Sequence, residues 1–122
     1  MNDLLSKLLP EYVDFLAQLV RIESVYGKER TAQEFVKKKM EAAGLGVECF
    51  FSRQDQESMN LVSRIPGNRP GCRSLILNAH NDVAPVDEET AWVHPPFSGK
   101  IVDNILMGGA ARMTKQAWRL FC

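Results

Sequence analysis

Two side chains near the middle of the chain have the types and spacing that chemistry needs: His80 and Asp82, with Asn81 between them. A neutral imidazole can bind zinc through one ring nitrogen, and a nearby carboxylate can set its surroundings. In an extended chain, residues two apart point to the same side, so both side chains would leave one face together. On spacing alone His-x-Asp has a commoner reading, a hydrogen-bonded turn with no metal. The second histidine, His94, lies between Trp92 and Phe97 and reads as a packed structural residue. The three cysteines, Cys49, Cys72 and Cys122, form no C-x-x-C pair, which suggests neither a zinc ribbon nor a redox motif. They read as thiols of a reducing cytosol.

The elements that must position His80 and Asp82 follow from periodicity. Leu5, Leu8, Leu9, Tyr12, Val13, Leu16, Leu19 and Val20 share one helical face. Pro10 interrupts that helix, so a kink or restart is expected near Leu9. A second helix is expected from about Glu29 to Ala43, with Ala32, Phe35, Val36, Met40 and Ala43 on one side and Gly44 ending it. Lys37, Lys38 and Lys39 form a solvated face near the helix's C-terminal end. The period then changes to that of strands: Leu45 to Phe51, a polar turn from Ser52 to Ser58, and Asn60 to Ile65 closed by Pro66-Gly67. After a loop from Asn68 to Arg73, Ser74 to Ala79 contains Leu75-Ile76-Leu77, an apolar run suited to a strand covered on both faces. That strand would deliver His80 and Asp82 at its end. Lys100 to Val102 and Ile105 to Met107 flank Asp103-Asn104, which suggests a small hairpin. Two helices followed by strands argue for an α/β domain with an incomplete sheet.

Composition narrows the function classes. The chain has 122 residues, enough for one small domain, and 15 basic residues balance 15 acidic ones. No overall field would draw in nucleic acid or an anionic membrane, and no apolar run approaches the roughly 20 residues a membrane-spanning helix needs. Asp3 and Lys7 stand among the first leucines, without the basic start and small-residue cleavage site of a signal peptide. A cytoplasmic location is expected.

Four segments give the site its context. They are Arg21-Ile22-Glu23-Ser24-Val25-Tyr26-Gly27, Asn60-Leu61-Val62-Ser63-Arg64-Ile65-Pro66-Gly67, His80-Asn81-Asp82-Val83-Ala84-Pro85-Val86 and Trp92-Val93-His94-Pro95-Pro96-Phe97-Ser98-Gly99. They resemble, in order and approximate spacing, the "R-I-P-S-V-S-G", "N-L-V-A-R-I-P-G", "H-x-D-V-V-P-V" and "W-T-H-D-P-F-S-G" segments of the M20 peptidase family. That family includes acetylornithine deacetylases, succinyl-diaminopimelate desuccinylases, aminoacylases and carboxypeptidases. The resemblance covers about Leu4 to Gly108. It implies the N-terminal part of a zinc-peptidase-type α/β/α catalytic domain with a mixed, incomplete sheet. It also implies two zinc ions per site in the full-length protein, with cobalt or manganese as alternatives. His80 would be a ligand to one metal and Asp82 the carboxylate that orients it. His94 matches a position that is not a ligand, and Ser24 and Gly27 match a loop with no catalytic role. The implied substrates are N-acyl amino acids or small peptides, and the full-length family is often homodimeric.

The chain departs from this pattern after Gly108. The family continues "G-R-G-x-A-D-D/M-K-x-G", and its first Asp bridges the two metals. Here Gly109-Ala110-Ala111-Arg112-Met113-Thr114-Lys115 lacks that Asp, and Arg112 near its place carries a fixed positive charge that would repel a metal. Synonymous codons can be chosen for Arg112 to Cys122 so that the frame starting at the third base of the Arg112 codon reads Asp-Asp-Lys-Ala-Gly-Leu-Ala-Ala-Phe-Leu. The ATG of Met113 and the TGG of Trp118 are forced, and the product is the family's motif. The expectation is a partial catalytic domain over residues 1–108 and an out-of-frame tail over 109–122, after loss of one base near Gly108. The chain alone would then lack stable zinc binding and amidase activity. The alternative is a non-catalytic, truncated paralogue that binds a partner protein, with an exposed edge strand as its means of pairing.

Overall fold

The computed structural model describes residues 2–51, 58–86, 92–108 and 118–119. The elements are α1 (Asn2–Val20), α2 (Arg30–Ala42), β1 (Val47–Phe51), β2 (Met59–Ser63), β3 (Lys100–Val102), β4 (Ile105–Met107) and β5 (Trp118–Arg119). The helix-then-strand order agrees with a mixed α/β chain. The polar turn at 52–57 lies outside the described residues, as does the departing tail apart from the backbone of Trp118–Arg119.

The helix α1 runs through Pro10 without restarting. The proline ring removes one backbone donor. Leu4, Leu9 and Tyr12 around it are exposed, so water can serve the carbonyl that loses its partner. Tertiary packing begins further along, where Phe15 stacks on Phe35 of α2 at 5.5 Å between ring centres and Ala17 is buried. A stacked aromatic pair contributes about 0.5–1.5 kcal/mol beyond its buried area.

The stop of α2 is encoded locally. Gly44 adopts φ +81°. Its N–H donates to the Glu41 carbonyl at 2.9 Å, and Leu45 N–H donates to the Met40 carbonyl at 3.0 Å. This pair of bonds is the Schellman closure that a glycine in the left-handed region permits. At the other end Glu29 makes no side-chain cap. Its carboxylate instead accepts from Gly27 N–H at 2.8 Å and from the Ser58 hydroxyl at 3.5 Å. Glu29 thereby ties the interhelical loop to the start of β2.

Strands β1 and β2 form an antiparallel pair with Cys49 opposite Leu61. This pair packs on α2, burying Ala32 and Met59. The predicted hairpin forms as β3–β4, with Val102 opposite Ile105. Asp103 and Asn104 take φ +50° and +60°. Both residues tolerate the left-handed region that a two-residue hairpin turn demands. The backbone of β5 adds antiparallel to β4.

Glycines at the two ends of this hairpin set it against α1. A Cβ on Gly99 would lie 2.5 Å from the Ala17 carbonyl, and one on Gly108 would lie 2.3 Å from Val20 Cγ1. Arg21 adds donors to the Ser98 and Gly99 carbonyls, each at 3.3 Å.

Three expectations are corrected. The described strands form two small antiparallel sheets, β1–β2 and β3–β4–β5, in place of one mixed sheet. The run Ser74 to Ala79 is no strand: Leu75, Ile76 and Leu77 are 82–87% exposed. A strand covered on both faces needs neighbours for its backbone groups and apolar layers above and below. The described residues supply neither. The strand Asn60 to Ile65 also ends earlier than expected, at Ser63, leaving Ile65 exposed.

Candidate functional site

The structure brings His80 and Asp82 together. His80 Nδ1 lies 2.9 Å from Asp82 Oδ1, with the His80 side chain 72% exposed and that of Asp82 43%. A carboxylate on Nδ1 favours the tautomer with the proton there, which leaves Nε2 as the nitrogen able to meet a metal.

The strand expected to deliver the pair is absent, so other elements hold it. The loop after α1 makes a parallel bridge from Val25 to Val83. Val83 N–H donates to the Ser24 carbonyl at 2.9 Å, and Tyr26 N–H donates to the Val83 carbonyl at 3.2 Å. The buried Ser24 hydroxyl donates to the Asn81 carbonyl at 2.7 Å. From α2, Gln33 Nε2 donates to Asn81 Oδ1 at 2.9 Å. Residues 81 and 83 face inward on these bonds, while 80 and 82 between and before them face out. This is the alternation expected of extended backbone.

The sequence pattern marks Ser24 only as a loop residue and gives no role to Gln33 or Asn81. A loop serine is a local hydrogen-bonding type, but its spacing does not say whose carbonyl it meets 57 residues away. The segment Arg21 to Gly27 proves to be the hub: it touches His80–Val86 through Ser24 to Tyr26, and Trp92–Gly99 through Arg21. His94 is half-buried.

The donor set tests whether these residues fit a metal. His80 with Asp82 behind it suits one ligand and its support. Among the described residues, no group of three or more His, Cys, Asp or Glu side chains could hold a metal. The described residues fit one corner of a metal site and not a whole one. Cys49 and Cys72 are free thiols, the first half-buried and the second exposed. Among the described residues no helix is long and apolar enough to cross a membrane.

No family model matches the chain. It is similar to curated succinyl-diaminopimelate desuccinylases. That of Xanthobacter autotrophicus is 37% identical over 106 residues, 86% of this chain and 28% of the relative. That of Methylorubrum extorquens is 37% identical over 99 residues, 79% of this chain and 25% of the relative. That of Cereibacter sphaeroides is 34% identical over 110 residues, 89% of this chain and 28% of the relative. The chain thus spans about a quarter of the length of the curated relatives it matches. Identity of this order across four-fifths of the chain, to relatives that are succinyl-diaminopimelate desuccinylases, places the chain in the M20 family.

Proposed function

We propose that this chain is part of a zinc-dependent amide hydrolase that removes an acyl group, succinyl in the first instance, from an N-acylated amino acid. The observation that carries the reading is the His80–Asp82 pair, 2.9 Å apart, within the segment that resembles the family's metal motif. The similarity to desuccinylases supports the choice of substrate class. In this reading His80 is one metal ligand and Asp82 fixes its ring. Zinc, or cobalt or manganese in its place, would supply an activated water at neutral pH. The remaining ligands and the general base are assigned to parts of the protein beyond Gly108. A cytoplasmic location and a homodimer belong to the same proposal, and neither nucleic acid nor a membrane is a partner in it.

The chain as written is proposed to be inactive. After Gly108 it carries Arg112 near the place where the resemblance expects a metal-bridging Asp. A one-base loss near the Gly108 codon would account for that departure, since synonymous codons for Arg112 onward can be chosen so that the shifted frame reads Asp-Asp-Lys-Ala-Gly. Dialysed chain should hold well under one equivalent of zinc and release no amine from N-succinyl-diaminopimelate. Tight zinc binding with turnover by these 122 residues would overturn the proposal.

The second reading, a non-catalytic protein-binding module, draws on the exposed Leu75-Ile76-Leu77 run. Such a run favours association without naming a partner. Specific hetero-association with a full-length relative in size-exclusion chromatography would favour this reading over the first.

A further inference from the structure

We infer that Ser24 and Gln33 are positioning residues for the His80–Asp82 pair, acting through Asn81 and not through the metal or the substrate. The inference rests on the reading of His80 as a metal ligand and extends it to a residue of α2 and a residue of the loop before it.

The residues that lead into the pair, Leu75 to Leu77, are exposed and outside any strand, so the approach to His80 imposes no direction on its ring. The restraint comes from the intervening and following residues. Asn81 is gripped at two points: its carbonyl by the Ser24 hydroxyl at 2.7 Å and its side chain by the Gln33 amide at 2.9 Å. Val83 is fixed by backbone bonds in both directions to Ser24 and Tyr26.

A residue held at its carbonyl and at its side chain has little freedom to rotate about its backbone. Fixing Asn81 and Val83 therefore fixes the peptide planes on either side of Asp82 and the one that follows His80. Those planes set whether His80 and Asp82 emerge on one side, within hydrogen-bond reach. Ser24 is itself buried at 6% exposure, so its hydroxyl has no competing water and its bond to Asn81 is retained. Glu29 supports the grip by accepting from Gly27 N–H, which holds the loop carrying Ser24 against the start of α2.

The experiment uses the full chain with nitrogen-15 in its histidines. The ring-nitrogen shifts of His80 at a fixed pH, with the imidazole neutral, report which nitrogen carries the proton. Asp82 accepting from Nδ1–H makes that tautomer dominant in the parent chain. Ser24→Ala and Gln33→Met should each convert it from dominant to minor, while Ser24→Thr, which keeps the hydroxyl, should preserve it. Far-UV circular dichroism is read on each variant. If Ser24→Ala loses its helices, Gln33→Met decides the question, because Gln33 is half-buried and its replacement keeps the length of the side chain. A role in stability alone would lower the melting temperature and leave the tautomer unchanged. Nδ1–H remaining dominant in folded variants would overturn the inference and leave the His80–Asp82 pair standing. A parent chain without Nδ1–H dominance would instead overturn the reading of Asp82 as the group that orients His80.

Discussion

At the scale of single residues, the chain relies on positions where one atom more or less decides the packing. Gly108 is the clearest. It is buried against α1, and a Cβ there would lie 2.3 Å from Val20 Cγ1, well inside contact distance. Gly108→Ala should therefore cost about 1–3 kcal/mol, the range for overpacking a filled site. Because the clash is with the end of a side chain, Val20→Ala should relieve it. The double variant should be more stable than the sum of the single costs predicts, with a coupling of about 0.5–3 kcal/mol in denaturant unfolding. Strict additivity would show that the hairpin does not meet α1 through these two residues. Gly99 differs in kind. Its Cβ would meet the Ala17 carbonyl, which is backbone, and its φ is +54°, so no side-chain trimming can rescue it.

At the scale of elements, Leu75-Ile76-Leu77 separates pattern from context. Full burial of side chains of this type is worth about 1.5–3 kcal/mol each. For the run that sum is comparable with the net stability of a small domain, about 5–15 kcal/mol. In the described chain none of it is realised. Ile76→Lys should therefore change unfolding stability by no more than about 0.5 kcal/mol, as at other exposed sites, and should lower the tendency to aggregate. A loss of several kcal/mol would mean that the run is a buried strand after all.

What was legible in the sequence follows the same division. The end of α2 at Gly44 and the turn at Asp103-Asn104 are set by backbone preferences of the residues in them, so they could be read locally. The β1–β2 pair could be read from its strand-forming residues, to within a residue or two. The strand at 74–79 could not, because an apolar run reports what a segment would bury and not whether the burying surface is present. The same holds at the site. His80 and Asp82 were visible as residue types at a spacing, whereas Ser24, Gln33 and Asn81 meet through bonds spanning 48 and 57 residues that no local pattern encodes.

At the scale of the whole molecule, the described residues bury few side chains. Ala17, Ala32, Met59, Val83 and Leu106 form the buried apolar set, and none of the large side chains is fully enclosed. What organises the chain is a hub of hydrogen bonds around residues 21–26. These join the His80–Val86 segment to one side and the Trp92–Gly99 segment to the other. An amide hydrolase with two metals needs several converging ligands, and in the proposed function His80 is one of them, with Asp82 as its supporting carboxylate. The most direct measurement restores one base at the Gly108 codon, expresses the resulting product and assays it on N-succinyl-diaminopimelate, with and without His80→Ala. The account predicts zinc-dependent turnover in the restored product, a loss of more than about 100-fold on removing His80, and a loss of about 10–100-fold for Asp82→Ala. A restored product with no turnover, or one whose turnover survives His80→Ala, would contradict it.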